Sequence, residues 1–174
     1  MDRPRLAVAI ALCCLTAGCL GVDFGGQPAP DPGQSISLSV TNEAPEPYDV
    51  RVSVAPEDPV GVDVVYANGT VQRRPLSVLT GAPPSALGRV TDVRLVGENV
   101  TSEEFRVPAA SGIGTQIRDN ESGSWVWLVV RRTTGPDRVR TWTRFRCQPD
   151  AANVTADLTI GGNESTALTV NCAG

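Results

Sequence analysis

Histidine and lysine are both missing from these 174 residues, and all 15 basic side chains are arginine. Without an imidazole there is no Ser-His-Asp or Cys-His nucleophile pair, no histidine-dependent copper or zinc site and no imidazole pH switch. No recognisable catalytic or cofactor motif takes their place, so the chain reads as a non-enzyme with no cofactor and no metal. Aromatic residues are scarce at 5%, which leaves the core to Val, Leu, Ile and Ala. The N-terminal apolar run, Leu6 to Leu20, falls short of the ~20 residues a membrane-spanning helix needs. In place of long runs, 14 prolines and 17 glycines divide the chain into short segments, which favours strands over helices. The length suits one domain with a proper core. Net charge is −4, and −5 without residues 1–18, an acidity that does not call for a nucleic-acid partner.

The N-terminus reads as an address. Arg3 and Arg5 precede the apolar run, which ends at Thr16-Ala17-Gly18-Cys19. That is a secretory signal (1–18) closing on a lipobox, with the Cys19 thiol as the lipidation site. Thr16 stands where leucine is commonest. Arg3-Pro4-Arg5 is not a twin-arginine pair, so the export route is open. Ordinary cleavage to a free secreted protein is the competing reading. Residues 19–34 then form the lipidated cysteine and a tether rich in glycine and proline, reaching up to roughly 45 Å when extended. The expected location is the cell membrane, lipid-anchored and facing outward.

From residue 35 to 174 a single domain is expected. Its apolar period is two: Ile36, Leu38 and Val40; Tyr48, Val50, Val52 and Val54; Val60, Val62, Val64 and Tyr66. Each is a half-buried strand with one wet face. Asn68-Gly69 signals a hairpin returning through Thr70 to Arg74. Strands are expected at Arg89–Val96, around Glu104–Val107, at Ser124–Arg132 and at Arg138–Cys147, and a final hairpin pairs Val154–Ile160 with Thr166–Cys172. A loop is expected over Pro108–Gly114. The whole predicts an all-β fold, an antiparallel β-sandwich of immunoglobulin-like type with about eight to ten strands.

Of five cysteines, Cys13 and Cys14 lie in the signal and Cys19 in the lipobox, leaving Cys147 and Cys172. Both continue the inward phase of their strands, so a disulfide is expected. Asn68, Asn99, Asn120, Asn153 and Asn163 head glycosylation sequons, and asparagine is equally a turn residue. Glu103-Glu104 and Asp119-Asn120-Glu121-Ser122-Gly123 contain carboxylates, but the second fails calcium-loop spacing and reads as a turn. Trp125 and Trp127 share one side of their strand, and one side has to be core.

Charge is uneven: residues 19–63 hold eight acids against Arg51, whereas 125–147 hold six arginines against Asp137. Alternation puts Val139, Thr141, Thr143 and Phe145 on one face. It puts Arg138, Arg140, Trp142, Arg144 and Arg146 on the other, a candidate binding face for an anionic glycan, phospholipid headgroups or an acidic surface protein. The plainer reading is that nearby acids neutralise the row and the arginine stems cover Trp142.

The lipobox, the tether, the lysine-free acidic composition and the strand-rich body together resemble the lipoproteins of haloarchaeal cell surfaces. A GC-rich genome alone would also favour arginine over lysine. The missing histidine separates the chain from halocyanin-type copper lipoproteins. The resemblance implies a membrane-anchored, non-catalytic module that binds a partner or builds the envelope. A carboxylate-dependent hydrolase or carbohydrate-active enzyme is the alternative.

Overall fold

The computed structural model describes residues 35–56, 58–79, 87–118, 123–135, 138–151, 153–162 and 165–173. Cys19, the tether, Asn120, Asn163 and most of the Asp119–Gly123 turn lie outside them. Eleven strands follow in order: β1 Ser35–Asn42, β2 Tyr48–Ala55, β3 Gly61–Tyr66, β4 Val71–Arg74, β5 Val90–Val96, β6 Thr101–Val107, β7 Ser111–Arg118, β8 Trp125–Arg132, β9 Val139–Arg146, β10 Asn153–Ile160 and β11 Thr166–Ala173. A 3₁₀ turn, Leu76–Val78, follows β4. The strands form sheets ordered β11-β10-β1-β7, β6-β2-β8-β9 and β4-β3-β5.

The two four-stranded sheets make the expected sandwich, and alternation accounts for its core. Ile36, Leu38 and Val40 of β1, Tyr48, Val50, Val52 and Val54 of β2, Val126, Leu128 and Val130 of β8, and Val154, Ala156, Leu158 and Ile160 of β10 all meet there. Serines and threonines take the intervening positions of β1. Buried Asn42 ends that strand by closing the next turn: its amide donates to the carbonyls of Glu46 and Pro108, each at 2.9 Å, and its oxygen accepts from Ala44 N–H at 3.0 Å. The Cys147–Cys172 disulfide, with Cα atoms 5.7 Å apart, ties β11 to the segment after β9.

Three features go beyond the sequence reading. Strand β1 pairs antiparallel with β7 but parallel with β10, in register from Ser35 opposite Asn153 to Asn42 opposite Ile160. The expected loop at Pro108–Gly114 holds the start of β7, whose Ile113 packs against the core while Gly112 and Gly114 face outward. The third difference is a second core. The second sheet has no wet face at its centre, because β4-β3-β5 covers it and Val62, Val64, Leu79, Val90 and Val93 pack on Trp127, Val129 and Val139. Val60, expected to share the face of Val62, precedes β3 and is 77% exposed.

Candidate functional site

The covered face of the second sheet is built in cross-strand rows. From one end they run Arg106–Asp49–Arg131–Val139, Glu104–Arg51–Val129–Trp142, Ser102–Ser53–Trp127–Arg144 and Ala55–Trp125–Arg146. Charge occupies the first two rows, and the aromatic and cationic residues of β8 and β9 the last.

At the charged end Arg51 and Arg131 each bridge the same two acids. Arg51 donates to Asp92 at 2.6 Å and Glu104 at 2.7 Å; Arg131 lies 3.2 Å from Asp92 and donates to Glu104 as well. Arg94 adds a bond to Asp92 at 2.9 Å, and the Val93 N–H another at 2.9 Å. Burial alone would push the Asp92 carboxyl up, but the bonds from Arg51 and Arg94 and the charges of Arg51 and Arg131 outweigh it and hold it below the usual carboxylate range. Asp92 belongs to β5 and Arg51 to β2, so this closed group fastens the third sheet to the second. Asp92 and Glu104 are brought together here, and the arginines hold Asp92 ionised, whereas a general acid needs a proton. Glu103 and Glu104 do not act together, because strand alternation sends Glu104 toward Arg51 and opposes Glu103 to Val52.

The row expected along β9 is divided. Register with β8 shifts between Val130 and Arg131, so Arg131 faces Val139 and Arg140 is the extra residue of a bulge. Val139 therefore joins the second core, not the sandwich core its phase predicted. Arg140 leaves the row, its charge acting on the Tyr48 hydroxyl. Arg138 precedes the strand, with its backbone N–H on the Val90 carbonyl at 3.0 Å. Trp142 is half-buried and donates its indole N–H to the Leu79 carbonyl at 2.8 Å.

Arg144 and Arg146 remain, and they are exposed. The Arg144 guanidinium carbon lies 4.7 Å from the Trp125 ring centre and 5.2 Å from that of Trp127; Arg146 lies 5.6 Å from Trp125 and donates to the Gly123 carbonyl at 2.6 Å. Stacking uses the face of a guanidinium and leaves its N–H edge free to bind a carboxylate, sulfate or phosphate in bidentate fashion. Alternation puts Trp125 and Trp127 on one side of β8, and pairing β8 with β9 by parity is the signal that places them under Arg144 and Arg146. Among the described residues their indole N–H groups have no acceptor.

Asn68, Asn99 and Asn153 are exposed, the first two in turns and the third at the start of β10. No group of three or more Cys, Asp or Glu suited to a metal ion occurs among the described residues.

No protein-family model matches the chain, and no curated protein does. Among solved structures, the T6SS lipoprotein TssJ1 from Pseudomonas aeruginosa is similar over 82% of this chain and 100% of its own, at 14% identity and a TM-score of 0.48. The human-specific toxin intermedilysin is similar over 82% of this chain and 24% of its own, at 8% identity and a TM-score of 0.37. At these identities and TM-scores neither protein's role transfers to this chain.

Proposed function

We propose that the protein is a membrane-tethered, non-catalytic β-sandwich module outside the cell, held by lipid at Cys19, that binds an anionic partner through Arg144 and Arg146 on the Trp125–Trp127 platform. The observation that carries the binding site is the exposed Arg144, whose guanidinium lies over both the Trp125 and Trp127 rings. Thr16-Ala17-Gly18-Cys19 and the Gly/Pro tether support the anchoring. An anionic glycan and an acidic protein surface share the chemistry the platform recognises.

Beads carrying sulfated dextran and beads carrying poly-L-glutamate separate those two sources. Wild-type protein should be retained on at least one of them. The Arg144→Ala/Arg146→Ala variant should lose at least tenfold in retention, whereas Arg118→Ala, at the exposed end of β7, should behave as wild type. Equal retention of the double variant would remove the platform from consideration. Anchoring is checked separately: full-length protein should partition into the detergent phase of a Triton X-114 extract, and Cys19→Ser into the aqueous phase. A Cys19→Ser protein still in the detergent phase would contradict lipidation.

A further inference from the structure

The third sheet reaches past the sheet it covers. Val62 and Val64 of β3 face the second core, and their partners across the ladder are Arg74 and Gln72 of β4. By parity those two side chains also belong to the core-facing side, yet all of β4 is exposed. The sequence places an amide and a guanidinium where apolar cover ends. The result is a groove of about 730 Å³ lined by Tyr66, Asn68, Thr70, Gln72, Arg74 and Arg89.

Its walls are held by local bonds. Tyr66 N–H donates to the Thr70 carbonyl and Gly69 N–H to the Tyr66 carbonyl, both at 2.9 Å, with Gly69 at φ +82° making the turn. Asn68 Oδ1 accepts from Thr70 N–H at 3.0 Å. Ala67 N–H donates to the Arg89 carbonyl at 2.8 Å, which fastens the hairpin tip to the Arg89 side. Arg74 donates to Gln72 Oε1 at 2.6 Å, leaving the Gln72 amide nitrogen to point elsewhere.

Among the described residues no acid lines this groove, in a chain with 19 acidic residues. Arg51, Arg73, Arg94, Arg106, Arg131 and Arg132 each meet a carboxylate. Arg74 and Arg89 meet none among the described residues. Two unneutralised guanidinium groups in one concavity call for an anion. A lone phosphate or sulfate would leave most of the volume empty and the amides, hydroxyl and Tyr66 ring without a role, whereas the volume suits small-molecule ligands of ~300–1,000 Å³ sites. A ligand that matches the whole lining carries acid groups for the arginines, hydroxyls for Asn68, Thr70 and Gln72, and a ring face for Tyr66. We infer that the groove is a binding site for a short acidic oligosaccharide bearing uronate groups, separate from the Arg144–Arg146 platform.

Isothermal titration with a galacturonic acid trimer tests this, with the carboxyl-reduced neutral trimer as control. Wild-type protein should bind the acidic trimer, and the neutral one at least tenfold more weakly. Arg74→Ala/Arg89→Ala should lose at least tenfold while keeping the wild-type melting temperature, and Arg144→Ala/Arg146→Ala should bind as wild type. Equal binding of the two trimers, or an unchanged affinity in Arg74→Ala/Arg89→Ala, would overturn the inference. Loss confined to Arg144→Ala/Arg146→Ala would also overturn it, moving the saccharide to the platform. Absence of wild-type binding would overturn it as well, leaving the platform to be judged by its own beads.

Discussion

Arg51 sits at an outward position of an alternating strand, and from sequence alone it is a surface residue. In the fold its side chain is 13% exposed because a third sheet lies over it, and it touches two carboxylates. Single residues here decide whether layers stay docked. Asp92→Asn removes the acid shared by Arg51, Arg131 and Arg94, and breaking a buried ion group from one side costs about 3–5 kcal/mol. The melting temperature at pH 7 should fall accordingly. The pH dependence has a definite sign. Asp92 titrates lower when folded than when unfolded, so the stability it gives is complete above the unfolded value of about 3.9 and is lost as pH falls through the folded one. A melting series from pH 7 downward should therefore show wild type and Asp92→Asn converging below about pH 4; a gap that stays constant would contradict the assignment. Asp63 is also held below its ordinary value by Arg73, but that pair is exposed, so solvent screening should leave Asp63→Asn close to wild type at pH 7.

At the scale of elements, periodicity carried most of the fold and misled where both faces of a strand are covered. Strands β1, β2 and β10 were legible because polar residues alternate with the apolar ones, and β11 because Leu168, Val170 and Cys172 keep period two. In β8 the run Trp125-Val126-Trp127-Leu128-Val129-Val130 is apolar at every position, the pattern of a strand buried on both sides. That run was the available signal for a second core. The bulge in β9 had no such signal, since Arg140 and Thr141 suit either face, and one extra residue was enough to divide the proposed arginine row. Strand β7 was read as loop at its start because Gly112 and Gly114 resemble a break. Two glycines test this account. A Cβ at Gly114 would meet no atom within 4 Å, so Gly114→Thr should stabilise the strand by up to about 1 kcal/mol. A Cβ at Gly61 would lie 2.7 Å from the Arg74 carbonyl oxygen, forcing β3 and β4 apart at a cost of about 1–3 kcal/mol. Urea denaturation of both variants checks the pair, and like-signed shifts would count against it.

Across the whole molecule the three sheets share one middle layer but have two separate cores, and the tryptophans divide unequally between them. Trp127 is in the second core, Trp125 and Trp142 pack against it, and the chain has no others. Indole fluorescence therefore reports docking of the third sheet, whereas far-ultraviolet circular dichroism reports strands in all three. The third sheet is held by Val62, Val64, Val90 and Val93 in the second core, joined there by Leu79, by the Trp142 bond to Leu79, by the Arg138 N–H on Val90 and by the charges around Asp92. With all of these in place the layers should unfold together, so that fluorescence and dichroism midpoints coincide at pH 7 in wild type. Without the Asp92 charge, Arg51 and Arg131 keep Glu104 and Arg51 keeps its 3.3 Å bond to the Val93 carbonyl, but the ion pairs from Arg51 and Arg131 to β5 are lost while the sandwich core is untouched. In Asp92→Asn the fluorescence midpoint should fall below the dichroism midpoint, giving a partly unfolded species with an intact sandwich and solvent-exposed tryptophans. Coincident midpoints in the variant, at whatever temperature, would show that the apolar contacts alone couple the layers and that the charges add stability without setting the order of unfolding.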